Sequence, residues 1–196
     1  MALNVSLRQI HGPWDDGWVL DKHTKSSVCL GQNEYGRTVF ETTRTDVGES
    51  TYQLKYQKDW SQSKPLAQAI AEFILPKYPK IGFIVPMPAS THRPRQPVTE
   101  VANELGQLID VPMIDDILLK TANGKPLKDL NTKEEKLEAL HGCFSIQDSI
   151  TNEGPWNVLV VDDLFHTGAS MEMACQALRE YKKVRGIYVA ALTWRH

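Results

Sequence analysis

The residues of this chain best suited to chemistry are two adjacent carboxylates and the loop of small residues that follows them. Asp162 and Asp163 come directly after four apolar residues, 158–161, which are typical of a buried parallel strand. The loop 166–170 reads His-Thr-Gly-Ala-Ser and opens a predicted helix. Carboxylates accept hydrogen bonds from sugar hydroxyls or hold a divalent cation, and backbone amides at a helix N-terminus hold phosphate. The pattern therefore predicts a site for a phosphorylated ribose.

The same stretch resembles the signature of type I phosphoribosyltransferases, the enzymes that use phosphoribosyl pyrophosphate (PRPP). That signature has four apolar residues, two acids, two apolar residues and a hydroxyl-rich Thr-Gly loop, as in residues 158–170 here. His166 stands where Ser, Thr or Asp is usual, and Ala169 stands where Gly is common. The resemblance implies an Mg²⁺-dependent transfer of phosphoribose from PRPP to a nitrogen nucleophile, a nucleobase or an amine, with release of pyrophosphate.

The resemblance also implies a role for each residue of the stretch. Asp162 and Asp163 would hold the ribose hydroxyls, directly or through an Mg²⁺ ion bound largely by PRPP itself. His166 has three open roles: a base that takes a proton from the nucleophile, a donor to the 5′-phosphate, or a residue that only packs. The 5′-phosphate would be wrapped, mostly by backbone amides, by His166, Thr167, Gly168, Ala169 and Ser170.

A second anion site is predicted in the loop that follows the buried strand 81–85. Small residues there let backbone amides approach an anion, and arginine forks match phosphate oxygens. The alternative is a solvated basic loop on the surface. The residues predicted to bind pyrophosphate are Ala89, Ser90, Thr91, Arg93 and Arg95.

The polar tract 120–136 is the candidate for a flexible lid. Three of its lysines, Lys120, Lys125 and Lys128, are placed to reach a pyrophosphate when the lid closes. A closed lid would keep water away from the cationic centre and prevent hydrolysis of PRPP. The alternative is an ordinary exposed loop.

The alternation of strands and helices from about residue 63 onward predicts an α/β fold, a parallel sheet flanked by helices. This is the fold that the type I phosphoribosyltransferase resemblance implies.

Residues 1–62 are rich in Thr, aromatic and turn-forming residues, and they predict a small hood with short antiparallel strands. Aromatic hood residues, Tyr52 and Tyr56 among them, either stack on a flat acceptor or pack in the core. The 196 residues are predicted to form a single phosphoribosyltransferase domain.

Looser motifs resemble the ComF-like branch of these proteins. They are Leu-Lys-Tyr at 54–56, Val-Pro-Met-Pro at 85–88 and Gly-Cys-Phe at 142–144. The N-terminal four-cysteine zinc module common in that branch is missing, because the chain has three cysteines, far apart in sequence. The branch implies an alternative function: a catalytically weak protein that senses PRPP or nucleotides, or one that acts in competence and DNA processing.

Composition narrows the predicted partners and location. The net charge of −2 argues against direct binding to nucleic acid, and no apolar run reaches the ~18 residues that span a bilayer. The N-terminus lacks the basic and apolar regions of a signal peptide, so a cytoplasmic protein is predicted. The predicted partners are PRPP and a small-molecule acceptor, without a membrane, and the sequence leaves room for a homodimer.

Overall fold

The computed structural model describes residues 3–89, 93–122 and 130–195, which contain nine strands and five α-helices. The strands are β1 (Arg8–Gln9), β2 (Asp16–Lys22), β3 (Thr24–Gln32), β4 (Thr38–Arg44), β5 (Phe83–Pro86), β6 (Leu118–Lys120), β7 (Phe144–Ile146), β8 (Trp156–Phe165) and β9 (Val184–Trp194). The helices are α1 (Asp46–Tyr52), α2 (Ser63–Ala69), α3 (Pro97–Ile109), α4 (Lys133–Leu140) and α5 (Ala169–Arg179). Short π- and 3₁₀-helical turns are Gln53–Gln57, Trp60–Gln62, Ile70–Ile74 and Leu75–Lys77.

A five-stranded sheet in the order β1-β2-β9-β8-β5 forms the centre of the fold. Strands β2, β9, β8 and β5 run parallel to one another, and only the two-residue edge strand β1 is antiparallel. The apolar residues 158–161 of β8 are fully buried, as a strand covered on both faces requires. The predicted α/β class, with a parallel sheet flanked by helices, is confirmed.

The side chains of β8 alternate between two apolar clusters on opposite faces of the sheet. Val158 and Val160 pack with α5 residues such as Leu178. Leu159 and Val161 pack on the other face with residues of α2 and α3. Because helices cover both faces, the polar groups at the carboxyl end of β8 leave the core only where the strand ends, and this end is where parallel sheets bind ligands.

The N-terminal segment is divided between the central sheet and a separate hairpin. Strands β3 and β4 pair antiparallel, as predicted for the hood, and nearly all of their residues are exposed. Strand β2, predicted as another short antiparallel strand, instead pairs in parallel with β9. Its Val19 and Leu20 are fully buried, one on each face of the sheet, which favours this central position. The boundary near residue 62 stays a prediction.

Part of the predicted lid is regular structure. Strand β6 carries Lys120 and pairs antiparallel with β7, outside the central sheet. The end of the tract forms α4, which begins with a capping box between Thr132 and Glu135. Lys125 and Lys128 lie outside the described residues. Within the described ranges, none of the helices is long and apolar enough to span a bilayer.

Candidate functional site

A cleft lies beyond the carboxyl ends of β5 and β8, at the edge of the sheet where the sequence predicts the site. Its wall combines acidic, basic and small residues from several segments of the chain. The residues of the predicted site that line it are Ala89, Arg93, Lys120, Asp162, Asp163 and Ser170. Residues from three separate predicted groups therefore share one cavity.

The acid pair of the cleft contains a carboxyl group, that of Asp162, whose pKa is strongly raised. Asp162 is half-buried, and its Oδ1 accepts a hydrogen bond of 2.8 Å from the backbone N–H of Asp163. Burial raises the pKa of Asp162 to about 7, and the neighbouring Asp163 carboxylate contributes to the increase. A cation or a set of hydroxyl donors at this point would therefore relieve an unfavourable concentration of negative charge.

Lys55 provides one such cation, and it was not among the predicted site residues. Its Nζ lies 2.5 Å from Oδ2 of Asp163, and the two side chains are 28% and 15% exposed. Burial lowers the pKa of Lys55, but the attraction of Asp163 outweighs it, so that the pKa is raised overall. The signal in the sequence is the Leu-Lys-Tyr segment at 54–56, which by itself indicates only a resemblance to the ComF-like branch.

Lys120 approaches the acid pair from β6. Burial lowers the pKa of Lys120, and the charge of Asp162 partly opposes this effect. The Lys120 Nζ lies 5.5 Å from the ring centroid of Phe144 on the neighbouring strand β7. Two lysines, one from the N-terminal segment and one from the tract predicted as a lid, therefore line the cleft with Asp162 and Asp163.

The N-terminus of α5 is built to leave its first amides open. Gly168 is the N-cap residue with a φ of 79°, and a Cβ at this position would lie 2.8 Å from the ring of Phe165. No side chain of the described residues caps the helix at this position. Unpaired amides and the positive end of the helix dipole favour an anion there.

Ala169, the departure from the common glycine, does not fill this anion site. Its side chain is 2% exposed and packs with Leu140 and Cys143 in a small apolar cluster beneath the loop. The methyl group therefore serves packing, and the backbone amides keep their position at the helix start.

His166 and Thr167 are placed differently from Ser170. Ser170 lines the cleft, whereas His166 is exposed and neither it nor Thr167 is among the described residues that line it. The role of His166 as a base, a phosphate donor or a packing residue stays a prediction.

The two arginines predicted to bind pyrophosphate differ in their surroundings. Arg93 lines the cleft. Arg95 is not among the described residues that line the cleft. Its Nη2 lies 2.7 Å from Oε2 of Glu100, and its guanidinium carbon lies 4.3 Å from the ring centroid of Trp60. Ser90 and Thr91 lie outside the described residues.

The donor set fits Mg²⁺ only if a substrate supplies most of the ligands. Among the described residues there is no group of three or more His, Cys, Asp or Glu able to hold a metal ion. Asp162 and Asp163 offer carboxylate oxygens, which Mg²⁺ prefers together with phosphate oxygens and water. The acid pair therefore suits an ion that enters with a phosphorylated ligand.

Comparison with known proteins identifies one curated relative, while no protein-family model matches the chain. The chain is 26% identical over 181 residues to competence protein ComFC of Bacillus subtilis (strain 168). The match covers 92% of this chain and 71% of that protein. The predicted resemblance to the ComF-like branch is confirmed by this relative.

Solved structures with a similar arrangement share little sequence with this chain. UMP synthase of Leishmania donovani matches 86% of this chain with a TM-score of 0.43 and 14% identity. A hypoxanthine phosphoribosyltransferase of Staphylococcus aureus matches 69% with a TM-score of 0.42 and 14% identity. The adenine phosphoribosyltransferase of Thermoanaerobacter pseudethanolicus matches 87% of this chain and 95% of its own, with a TM-score of 0.46 and 14% identity. The chain spans 29% of the UMP synthase and 65% of the Staphylococcus enzyme.

The substitution Asp162→Asn tests the perturbed carboxyl. Native Asp162 keeps its proton up to a pKa of about 7, whereas an unfolded Asp releases it near pH ~4. Between these values the unfolded state binds fewer protons, so stability falls as the pH rises. Asn keeps the Oδ1 acceptor without ionising, and the variant should gain stability relative to wild type from about pH 5 to about pH 8. Urea unfolding of both proteins at about pH 5 and about pH 8 measures this difference in unfolding free energy. A difference that does not change with pH would contradict the raised pKa of Asp162.

Proposed function

We propose that this protein is an Mg²⁺-dependent phosphoribosyltransferase. It binds PRPP and transfers the phosphoribosyl group to a nitrogen nucleophile, with release of pyrophosphate. The observation that supports this most is a single cleft lined by the acid pair Asp162 and Asp163, by Ser170 at the start of α5, and by Arg93. These groups match, in charge and in kind, the three parts of PRPP.

Each part of PRPP has a counterpart in the cleft. The open amides at the start of α5, from Gly168 to Ser170, would hold the 5′-phosphate. Asp162 and Asp163 would accept hydrogen bonds from the ribose hydroxyls. Arg93 and Lys120 would lie against the pyrophosphate, where an arginine fork can contact two phosphate oxygens. The identity of the acceptor is left open by this set of residues.

The transfer breaks the bond between ribose C1 and the pyrophosphate oxygen and forms a bond between C1 and the nitrogen, whose proton passes to the leaving pyrophosphate or to water. Positive charge develops on the sugar while negative charge grows on the leaving group, so catalysis depends on positioning and electrostatic stabilisation. Asp162 and Asp163 face the sugar, and Arg93 and Lys120 face the leaving group. Mg²⁺, held by the acid pair and PRPP oxygens, would add stabilisation of the pyrophosphate charge.

Lys55 acts as a counter-ion that substrate binding must replace. Its Nζ is on Asp163 at 2.5 Å, the same carboxylate proposed to hold the ribose. Because Asp163 raises its pKa, Lys55 stays charged while the pair is intact. When the ribose hydroxyls and the metal occupy the carboxylate, Lys55 becomes available to an anionic group of a substrate.

A second function is favoured by the similarity to competence protein ComFC. In this alternative the protein senses PRPP or nucleotides, or acts in competence and DNA processing, with little or no turnover. Incubation with PRPP, Mg²⁺ and a panel of nucleobases and amines separates the two. Pyrophosphate release supports the transferase, whereas PRPP binding without release from any acceptor supports the sensor. Absence of both binding and release would reject both PRPP-based functions.

The double substitution Asp162→Asn with Asp163→Asn should weaken binding of Mg²⁺–PRPP by at least tenfold, because two charge-assisted contacts are each worth about 1.5–3 kcal/mol. Calorimetric titration with PRPP measures the affinity. The matched control is Asp115→Asn with Asp116→Asn, another adjacent acid pair, which is exposed and outside the cleft. An equal affinity in the site variant and wild type would refute the ribose-holding role.

Arg93 and Arg95 provide a comparison within one loop. Arg93→Ala should weaken binding of PRPP about tenfold or more, because Arg93 lines the cleft. Arg95→Ala should have less effect on PRPP affinity, since Arg95 is engaged by Glu100 and Trp60. The same titration measures both variants. Equal losses, or a larger loss for Arg95→Ala, would show that the pyrophosphate is bound differently.

A further inference from the structure

A group of basic side chains lies near the carboxyl ends of β2 and β9, and only one of its members, Lys55, also lines the cleft. It consists of His23, Arg44, Lys55 and Arg195, and we refer to it as the basic cluster. Three of the four come from the N-terminal segment before residue 62, and Arg195 follows β9 directly. The two anion sites proposed for PRPP lie elsewhere, at the start of α5 and in the loop after β5.

His23 ties this cluster to the acid pair. Its Nδ1 lies 3.2 Å from Oγ1 of Thr193, a fully buried residue of β9. The Thr193 hydroxyl donates its single proton to the backbone oxygen of Asp163 at 2.9 Å. The hydroxyl can therefore only accept from His23, which fixes the imidazole with a proton on Nδ1. His23 is held two hydrogen bonds away from the strand end that carries the carboxylates.

More cations than acids act on His23. Burial lowers the pKa of His23, and Arg195, Arg44 and Lys55 lower it further, while Asp163 opposes them. Two of these cations already have an acidic partner, Lys55 with Asp163 at 2.5 Å and Arg44 with Glu49 at 3.3 Å. An anion that entered here would be attracted by Arg195, and by Lys55 once substrate binding has released it from Asp163.

Arg44 is the member with unused hydrogen-bonding capacity. Its guanidinium carbon lies 3.7 Å from the ring centroid of Tyr52, and Nη1 donates to Oε2 of Glu49 at 3.3 Å. This is the only hydrogen bond to its guanidinium from the described residues, and its Nε is buried without a partner. A buried donor without an acceptor is energetically costly. The stacked guanidinium is thus held in place while some of its N–H donors, Nε among them, have no acceptor among the described residues.

Resting on the proposed function, we infer that the acceptor of the phosphoribosyl group is a nitrogen nucleophile that carries a carboxylate. The carboxylate binds at the basic cluster, with Arg44 as its fork-shaped donor and Lys55 as the charge that substrate binding releases from Asp163. A neutral nucleobase would leave the positive potential of the cluster and the donors of Arg44 without a counterpart. The carboxylate therefore selects the acceptor and orients its nitrogen toward C1.

Matched pairs of acceptors test this directly. Orotate and uracil differ by one carboxylate on the same ring, and nicotinate and nicotinamide differ in charge at one substituent. Pyrophosphate release from PRPP should be faster with the charged member of at least one pair, by about tenfold or more in kcat/KM. Equal rates, or a preference for the neutral member in both pairs, would overturn the inference and leave the phosphoribosyltransferase function standing.

Variants of Arg44 separate recognition from folding. In Arg44→Gln the ratio of kcat/KM between charged and neutral acceptors should fall about tenfold, and Arg44→Lys should retain part of it. The ratio is measured within one preparation, so loss of folded protein does not affect it. Arg37→Gln, the same change on an exposed residue of the β3–β4 hairpin, should keep the wild-type ratio. An unchanged ratio in Arg44→Gln would refute the role of the cluster.

Binding measurements keep the inference testable even without turnover. Calorimetric titration of the wild-type protein with each matched pair, with and without PRPP, should show tighter binding of the charged member and loss of that preference in Arg44→Gln. Failure of PRPP itself to bind would reject the proposed function. Failure of both charged probes to bind better than their neutral partners would reject this inference, whatever PRPP does.

Discussion

Two adjacent carboxylates at the end of a strand buried on both faces are the constraint on which this molecule is organised. Burial and mutual repulsion raise the pKa of Asp162, so the strand end requires cationic or hydrogen-bonding partners. Lys55 comes from the N-terminal segment and Lys120 from β6, and both line the cleft with the acids. Segments that are distant in the sequence are thereby brought together around the acid pair. A bound cation or sugar would compensate part of the negative charge that Lys55 and Lys120 now compensate.

Local signals in the sequence were sufficient for much of the fold. Four apolar residues at 158–161 predicted a fully buried strand, and the structure has this strand with helices on both faces. Gly168 was predicted within the phosphate loop, and its positive φ together with the nearby Phe165 ring explains why only glycine fits. These features depend on neighbouring residues, which a sequence pattern records directly.

Features that depend on distant partners could not be predicted in the same way. The segment around Val19 and Leu20 shows strand character, but nothing in it indicates that its neighbour is β9 at the other end of the chain. Lys55 is one lysine in a helical segment, and its contact with Asp163 exists only after the sheet has formed. Arg93 and Arg95 carry the same signal in sequence, and only Glu100 and Trp60 distinguish them.

A crystal structure with Mg²⁺ and PRPP would test whether the acid pair holds the ribose of PRPP. The ribose hydroxyls should lie within hydrogen-bond distance of Asp162 and Asp163, or be linked to them through the metal. The 5′-phosphate should contact the amides at the start of α5, and Lys55 should have moved away from Asp163. A ligand bound elsewhere, with the Lys55–Asp163 pair intact, would refute this role of the acid pair.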